Sequence, residues 1–440
     1  MLQKDSSHDP LGDGIVTRSS RADRVLATAR RLVEDALSTV RFQTCRPPKG
    51  SPIHIARRAG RPFPENAPLL AQLLGREPIA FETETLRSAV ADRCILVTGA
   101  AGSIGSELCR QVASLEPRVL VAFDNAESGL FHLDQDLLGS LPGRFVPWVG
   151  DIRDVRRVHE VMERHSFDAV FHAAAYKHVP LMEAYPLELT QTNVFGTWNL
   201  AQAAAEHRVG RFVLISTDKA VHPANVMGLT KRVAELLLAA MANHSAGHTR
   251  FAAVRFGNVL GSSGSVVPTF HEQIARGGPL TVTHPDVRRY FMTTQEAVHL
   301  VLQTAAMADP SGTFVLDMGE PVRIIDLARQ MIRAWGLEPD RDIEIHYVGL
   351  RPGEKLDESL IASGESVAPT FHPKIRALHG ANAIPQNLAA WLQDLRFAIE
   401  TRDETGAIAH MAGLVPEYEP GETWASVRKP SVASMPAAVG

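Results

Sequence analysis

The stretch CILVTGAAGSIGSELCRQV joins an apolar run to a helix-like segment through three spaced glycines. Gly99 can make a tight turn, Gly102 lets the backbone approach a bound pyrophosphate, and Gly105 permits close packing of the helix. Ser103 and Ile104 then open this helix, whose first N–H groups and positive dipole end attract phosphate. The junction predicts a dinucleotide-binding site at the carboxyl end of a buried strand.

Short β-branched runs alternate with helical stretches from Ile95 onward. The runs are CILVTG, RVLVAFD, RFVPWVGD, DAVFHAA and RFVLIST, and the stretches between them are rich in Leu, Ala, Glu and Arg. This alternation predicts an α/β protein, with a doubly wound parallel sheet of the Rossmann type covered by helices on both faces. After about residue 260 the alternation loosens into Gly/Pro-rich loops and shorter helices, which indicates a smaller C-terminal substrate-binding lobe.

The chain divides into four predicted regions. Residues 1–60 are expected to be flexible, with one helix in SSRADRVLATARRLVEDALSTV and a linker in CRPPKGSP. Residues 61–260 should form mainly the dinucleotide-binding domain. Residues 261–400 should form mainly the substrate-binding lobe, with segments that return to the sheet. Residues 401–440 are expected to be a C-terminal tail.

Composition excludes several classes of protein. The net charge of -4 gives no reason to expect nucleic acid as a partner. No apolar run reaches the roughly 18 residues that a transmembrane helix needs, and the polar N-terminus MLQKDSSHDPLGDG lacks a signal-peptide core. Cys45, Cys94 and Cys109 lie in no metal-ligand or redox spacing. No metal site is therefore predicted, and a cytoplasmic location is expected.

Asp124 ends the second predicted strand, where an acid can accept hydrogen bonds from both hydroxyls of an adenosine ribose. Its carboxylate would repel a 2′-phosphate, and the following stretch DNAESGLFHLDQDLLGSLPG contains no Arg or Lys to bind one. NAD, rather than NADP, is therefore the predicted cofactor. The alternative is a glycine turn beside an unrelated surface aspartate.

The glycine spacing is TGxxGxxG, and it resembles that of the extended short-chain dehydrogenase/reductase superfamily. GDIRD places Asp151 and Ile152 where that superfamily contacts adenine. HAAAYKHVP places Ala173 and Ala174 where small side chains let the cofactor lie close to the backbone. Three further residues match in order: TNVFGT supplies Asn193 in the next helix, and Met227 and Lys231 occupy the Tyr and Lys positions of the YxxxK pair.

Longer motifs narrow the resemblance. STDKAVHPANVMGLTKR, RFGNVLGSSGSVVPTF, HPDVRRYFMT and RPGEKLDESL together resemble the nucleotide-sugar 4,6-dehydratases of polysaccharide and glycan biosynthesis. The nearest branch acts on UDP-N-acetylglucosamine and carries methionine in place of tyrosine. Many of its members have transmembrane helices and another nucleotide-binding-like domain ahead of this region, and this sequence shows neither, so a soluble form is expected. Dimers are usual for the fold, and a homo-oligomer is expected.

The resemblance implies a reaction with three chemical requirements. Such an enzyme oxidises C4 of the sugar, removes water across C5 and C6, and returns the stored hydride to C6, so no net redox change occurs. STDK follows the fifth predicted strand, where open α/β sheets place their ligands. Thr217 is assigned to hydrogen-bond the C4 oxygen, Asp218 to protonate the departing C6 hydroxyl, and Lys219 to take the C5 proton.

Two conditions attach to these assignments. Asp218 and Lys219 can both face the sugar only if the strand has already ended before them. Lys219 must be neutral to act as a base, which requires desolvation or a cationic neighbour such as Lys231. The alternative is a solvated loop pair without a catalytic role.

Met227 raises the question of how the C4 hydroxyl loses its proton. Tyrosine-bearing relatives use the phenol for this step, and methionine cannot do so at any pH. Met227 is expected to pack beside the sugar or the nicotinamide. Thr217 and Lys231, with or without an intervening water, would then handle the proton.

Substrate contacts follow from the resemblance and from charge. Arg351 suits the UDP diphosphate, because a guanidinium can donate to two oxygens at once. Glu354 would hold a hydroxyl of the uridine ribose, Asn258 would lie near the phosphates, and Lys177 beside the cofactor and the sugar. Taken singly, each could instead be a structural salt-bridge residue.

Two rival functions remain open. A nucleotide-sugar 4-epimerase uses the same fold and cofactor but needs no acid and base at C5 and C6, so the Asp218–Lys219 pair disfavours it. A catalytically silent NAD-binding subunit is the second rival, and Met227 is its only support. The resemblance favours a dehydratase that converts UDP-N-acetylglucosamine to UDP-2-acetamido-4-keto-2,6-dideoxyglucose.

Overall fold

A computed structural model describes residues 79, 83–244, 248–307, 311–380, 385 and 387–427. The helix and linker predicted within residues 1–60 lie outside the described residues. The strands are β1 (Cys94–Thr98), β2 (Val119–Asp124), β3 (Phe145–Val149), β4 (Ala169–His172), β5 (Arg211–Ile215), β6 (Arg250–Arg255), β7 (Asn258–Leu260), β8 (Leu280–Val282), β9 (Arg288–Arg289), β10 (Phe291–Thr293), β11 (Gly312–Leu316), β12 (Val322–Arg323), β13 (Ile345–Tyr347), β14 (Ser366–Pro369) and β15 (Ile375–His379).

The α-helices are α1 (Thr83–Val90), α2 (Ser103–Ser114), α3 (Glu127–Leu137), α4 (Val155–Arg164), α5 (Val179–Met182), α6 (Pro186–Thr190), α7 (Thr197–Glu206), α8 (Val226–His244), α9 (Val266–Ala275), α10 (Thr294–Ala306), α11 (Ile324–Ala334), α12 (Leu388–Glu400) and α13 (Glu404–Leu414). A π-helix spans Gln191–Gly196, and short 3-10 helices span Asp218–Ala220 and Glu422–Trp424. Within the described ranges, no helix is both long enough and apolar enough to cross a bilayer.

The main sheet has nine strands in the order β14-β15-β11-β6-β5-β4-β1-β2-β3. The strands from β11 to β3 along this order pair in parallel, whereas β15 and β14 are antiparallel additions at one edge. The order of β3 to β6 is that of a Rossmann fold, with the crevice for ligands outside the carboxyl ends of β1 and β4. The prediction of a doubly wound parallel sheet is therefore confirmed.

Both faces of the sheet are buried. Successive strand residues point to opposite sides, so a strand such as β1 contributes side chains to both apolar cores. Ile95 and Val97 of β1 face one apolar core, which includes residues of α1, α2, α3 and α10. Leu96 faces the other, which includes residues of α4, α7 and α8. A further apolar cluster unites α9, α11, β8 and the residues around Ile343 in the smaller lobe.

Residues 401–427 do not form the predicted tail. Helix α13 buries Ile408 and Met411, and Val415 and Tyr418 are buried directly after it. These residues share one apolar cluster with α12 and with α8. The sequence ETGAIAHMAGL carries small and apolar residues on all sides, so no amphipathic period marks this helix before its packing partners are known.

Candidate active site

A cleft of about 520 Å³ lies at the carboxyl ends of the first parallel strands. Gly99 has a φ of +67°, and a side chain there would meet the backbone of Ala174 at 2.5 Å. A side chain on Gly105 would lie 2.0 Å from the carbonyl oxygen of Gly99, so the helix can approach only because Gly105 has none. Gly102 is less enclosed, since its nearest contact would be at 3.2 Å, and it lines the cleft. Gly99 and Gly105 thus make the tight turn and the close helix packing that the sequence predicts, whereas contact of Gly102 with a pyrophosphate stays a prediction.

Asp124 lines the same cleft at the end of β2. Its carboxylate accepts hydrogen bonds from the backbone N–H groups of Ala101 and Ala126, both at 2.9 Å. These bonds hold the carboxylate beside the glycine turn, and each oxygen keeps a lone pair for a further donor. The position suits ribose hydroxyls.

Asp151 and Ile152 also line the cleft, as the sequence predicts. Burial alone would raise the pKa of Asp151, but hydrogen bonds from Arg153, the shortest of them 2.7 Å, lower it below its usual range. The guanidinium of Arg153 also reaches Glu188 at 3.4 Å. Arg153 thus lies beside the cleft with its charge already paired, a residue that the sequence analysis did not single out.

The loop after β4 forms the opposite wall of the cleft. Ala173, Ala174 and Ala175 line it. Asn193 ties the loop down, because its side chain accepts from the N–H of Tyr176 at 2.9 Å and donates to the carbonyl of the same residue at 3.1 Å. Asn193 belongs to the π-helix, a departure from α-helical geometry that is frequent at functional sites.

The residues that follow β5 leave the strand before the reactive side chains begin. The strand ends at Ile215, and a 3-10 turn begins at Asp218. The condition that the strand ends ahead of Asp218 and Lys219 is therefore met. Thr217 donates to Asp218 Oδ1 at 2.8 Å, and Lys219 Nζ donates to the same oxygen at 3.0 Å. Asp218 is fully buried, and its Oδ2 has no hydrogen-bond partner in the described part of the chain.

Lys219 is held as a cation, and the condition for a neutral amine is not met in this structure. Burial lowers the pKa of an ammonium, but the carboxylates of Asp218 and Glu358 outweigh it and raise the pKa of Lys219. Glu358 Oε1 lies 4.0 Å from Lys219 Nζ, and Asn258 Oδ1 accepts from Nζ at 3.3 Å. Lys231 is not among the groups that shift the pKa of Lys219.

Helix α8 brings the remaining catalytic candidates against this turn. Gly228 makes the contact possible, since a side chain there would lie 2.1 Å from the carbonyl oxygen of Lys219. Met227 is buried in the apolar cluster that α8 shares with α12 and α13. Lys231 is buried one turn later, and burial lowers its pKa to about 8, against a smaller opposing effect of Glu235.

A buried ion-pair network supports the turn from behind. Arg255 donates to both carboxylate oxygens of Glu235, at 2.8 and 2.7 Å, and also to Glu365 at 2.8 Å. Ser216, next to Thr217 in sequence, donates to Glu235 at 2.5 Å. Burial alone would raise the pKa of Glu235, but Arg255 and Arg232 lower it to about 2. The sequence analysis missed this network because its members are far apart in the chain.

A second, smaller cavity of about 150 Å³ lies in the C-terminal lobe. Asn258, Arg351 and Glu354 all line it, so the structure brings these three predicted substrate residues together. Glu354 accepts from Thr283 and Arg289, both at 3.1 Å. Arg289 was not predicted, although it lies in the quoted stretch HPDVRRYFMT.

Lys177 lines neither cavity. It is exposed beside Tyr176 and His178, which line the first cleft. The two lobes contact each other through a hydrogen bond from the N–H of Ser263 to the hydroxyl of Ser103, at 3.1 Å. Within the described ranges, no group of His, Cys, Asp or Glu residues is arranged to hold a metal ion.

The strand order, the glycine turn and the two cavities can be compared with known proteins. A family described as "Polysaccharide biosynthesis protein" matches residues 95–379. The chain belongs to this polysaccharide biosynthesis protein family. Its fold is that of the extended short-chain dehydrogenase/reductase superfamily, as the sequence motifs imply.

Individual relatives agree with the family match. The capsular polysaccharide biosynthesis protein CapD of Staphylococcus aureus is 48% identical over 305 residues, which cover 69% of this chain and 51% of CapD. The chain thus spans about half the length of this relative. A UDP-glucose 4-epimerase of Rickettsia massiliae is 35% identical over 280 residues, covering 62% of this chain and 79% of the epimerase. The X-ray structure of Pen from Bacillus thuringiensis is 35% identical with a TM-score of 0.58, covering 62% of this chain and 84% of Pen.

Proposed function

We propose that this member of the polysaccharide biosynthesis protein family is an NAD-dependent 4,6-dehydratase. Its substrate is UDP-N-acetylglucosamine, and its product is UDP-2-acetamido-4-keto-2,6-dideoxyglucose, for polysaccharide or glycan biosynthesis. The observation that carries the proposal is the ion pair of the fully buried Asp218 with the largely buried Lys219 after β5. A 4-epimerase has no use for an acid and a base at C5 and C6, whereas a 4,6-dehydratase needs both. A cytoplasmic location and a homo-oligomer stay predictions.

The cleft fits a dinucleotide by its own geometry. The start of α2 leaves backbone N–H groups for the pyrophosphate directly after Gly102, whose own N–H donates to the carbonyl of Gly99. Asp124 is held beside the turn for the ribose hydroxyls. Arg153, the cation that lines the cleft, is already paired with Asp151, so NAD rather than NADP is proposed. Bound NAD would take the hydride from C4 and return it to C6.

Lys231 and Thr217 are proposed to handle the C4 hydroxyl proton. A pKa of about 8 leaves a substantial fraction of Lys231 neutral near physiological pH, so this amine can accept a proton where methionine cannot. Thr217 donates its own hydroxyl proton to Asp218 and accepts from the backbone N–H of Lys219, which leaves one lone pair of its oxygen to accept from the sugar. Met227 would fill apolar space beside them.

Asp218 and Lys219 are proposed to remove water from C5 and C6. One proton moved from the Lys219 ammonium to the Asp218 carboxylate, along their 3.0 Å hydrogen bond, produces a neutral amine and a carboxylic acid together. The amine takes the C5 proton, and the acid protonates the C6 hydroxyl, which leaves as water. The ion pair found in the structure therefore holds the same number of protons as the reactive pair.

Residues of the C-terminal lobe are proposed to hold the nucleotide. Arg351 is exposed at the rim of the smaller cavity, where its guanidinium can bind the diphosphate. Glu354 is fixed by Arg289 and Thr283 and would accept from a ribose hydroxyl. Lys177 is proposed to join them when the substrate is bound.

Mass spectrometry of the purified protein incubated with UDP-N-acetylglucosamine and related UDP-hexoses tests the proposal. A dehydratase gives a product lighter than its substrate by one water. No change of any substrate, by mass or by NMR, in protein that retains bound NAD would instead support a silent cofactor-binding subunit and refute the proposal.

A 4-epimerase is the second candidate, because relatives named UDP-glucose 4-epimerase match most of their length to this chain. Its product has the same mass as its substrate and differs only in configuration at C4. Proton NMR of the incubated UDP-sugars separates the two activities through the couplings around C4.

A further inference from the structure

Glu358 reaches the proposed acid–base pair from the C-terminal lobe. Its side chain is 3% exposed, and its Oε1 lies 4.0 Å from Lys219 Nζ. Asp218 contacts the same ammonium at 3.0 Å from the end of β5. One cation thus lies between two buried carboxyl groups that come from different parts of the fold.

Both carboxyl groups are incompletely satisfied. Asp218 Oδ2 and Glu358 Oε2 are buried, and neither has a hydrogen-bond partner in the part of the chain that the structure describes. Burial raises the pKa of Glu358, and Asp218 adds to this effect, whereas Lys219, Arg289 and Lys355 oppose it. Glu358 therefore keeps its proton to a higher pH than an ordinary glutamate does.

We propose that Glu358 is a positioning residue that sets the charge of Lys219. The inference rests on the proposed function, which makes Lys219 the base at C5. When Glu358 is ionised, Lys219 has two anionic neighbours and is held as an ammonium. When Glu358 carries a proton, only Asp218 remains as a counter-ion, and the proton shift to Asp218 that frees the amine becomes easier.

Glu358 lies in the same stretch of chain as the proposed nucleotide contacts. Arg351 and Glu354, the proposed nucleotide contacts, precede Glu358 in the single stretch RPGEKLDESL. A substrate held by this stretch is therefore held by the same loop that places the second carboxyl group beside Lys219.

Reductive methylation with formaldehyde and cyanoborohydride tests the proposal, because these reagents attack only a neutral amine. Methylation of Lys219 would be followed by peptide mass spectrometry in wild type and Glu358→Gln, from about pH 7 to about pH 10. Removing an opposite charge at this distance moves a pKa by about one unit or more, so Lys219 in Glu358→Gln should react about tenfold faster where Glu358 is ionised. Coinciding profiles would overturn the proposal.

Controls separate this effect from general loosening of the fold. Asp357→Asn makes the same change of charge one residue away at an exposed position, and it should leave the profile of Lys219 unchanged. Lys374, which is partly exposed, reports reagent strength in every sample. Glu358→Asp, which withdraws the carboxylate by one methylene, should give a smaller shift in the same direction. This second variant decides the question if Glu358→Gln fails to fold.

The methylation assay needs no turnover, so it tests the link between Glu358 and Lys219 even if the protein proves not to be a dehydratase. If dehydration is found, wild type should lose kcat/KM as Glu358 ionises with rising pH, and Glu358→Gln should lack this loss. A purely structural role would lower activity without removing that pH dependence.

Discussion

Lys219 and Lys231 are both largely buried, yet their surroundings move their pKa values in opposite directions. Two carboxyl groups face Lys219 and raise its pKa, whereas burial lowers the pKa of Lys231 to about 8 against a smaller opposing effect of Glu235. At the scale of single residues, the site thus contains one lysine held as a cation and one that is readily neutral. The proposed division of labour follows: Lys231 handles the C4 hydroxyl proton, and Lys219 acts only after a proton shift to Asp218.

Replacing Asp218 by Asn tests the acid directly. Asp218→Asn should lower turnover by about 10² or more, because an amide cannot protonate the departing hydroxyl. Binding of NAD and UDP, measured by calorimetry, should be unchanged. Asp136→Asn, an exposed position on α3, should retain full turnover. Near wild-type turnover in Asp218→Asn would refute the assignment.

Replacing Lys231 by Met should stabilise the fold at neutral pH while abolishing turnover. The unfolded chain binds the Lys231 proton with an ordinary pKa of 10.5, whereas the folded protein binds it with a pKa of about 8. Burying this lysine therefore costs stability below about pH 8, and the cost fades as pH rises toward the unfolded value. The gain in the free energy of unfolding for Lys231→Met should be on the order of 3 kcal/mol at about pH 7.

Urea unfolding at about pH 7 and about pH 10 measures this gain and its decline. Lys374→Met, at a position that is partly exposed and paired with Asp317, should show no such pH-dependent gain. A Lys231→Met variant less stable than wild type at neutral pH would contradict the assigned shift.

At the scale of secondary structure elements, the start of α8 decides whether the site can form. The helix packs its first turn on the carbonyl of Lys219 through Gly228, and Thr230 accepts a hydrogen bond from Asn193 of the π-helix at 3.2 Å. Asn193 in turn holds the loop after β4. Three elements that line the proposed site are thereby fixed to one another.

Gly228→Ala should push α8 away from the turn after β5. Its Cβ would lie 2.1 Å from the carbonyl oxygen of Lys219, so backbone must move. We expect a loss of about 1–3 kcal/mol in the free energy of unfolding, with a large fall in turnover. Gly139→Ala is the matched control, because a Cβ there meets nothing within 4 Å. Equal stability of the two variants would show that the contact is not tight.

At the scale of the whole molecule, the segment after residue 387 completes the fold. Its helices cover α8, and Arg232 of α8 donates to Glu417 at 3.2 Å. Glu419 donates its backbone N–H to Pro223, just ahead of α8. The segment lies beyond the matched family region, which ends at residue 379.

Two substitutions within this segment test its contribution. Met411 is 0% exposed, so Met411→Ala should lower the free energy of unfolding by about 2–5 kcal/mol. Phe397 is 66% exposed on α12, and Phe397→Ala should change the free energy of unfolding by less than about 0.5 kcal/mol. Chemical denaturation measures both values. A negligible cost for Met411→Ala would mean that the segment is not an integral part of the folded protein.

The sequence by itself determined the sheet, the glycine turn and the position of the reactive stretch. These features are local: β-branched runs alternate with helical runs, Gly99 adopts a positive φ, and β5 ends shortly before Asp218. Each depends on residues close together in the chain, where backbone sterics and side-chain periodicity act.

Only the tertiary structure decided the charge of Lys219 and the fate of residues 401–427. Glu358 is remote from Lys219 in sequence, and its effect depends on a 4.0 Å approach that no local pattern encodes. Helix α13 has no polar face of its own to indicate burial, and it is ordered by its contacts with α8 and α12. Electrostatic and packing energies depend on distances in space, so these two properties exist only once the chain has folded.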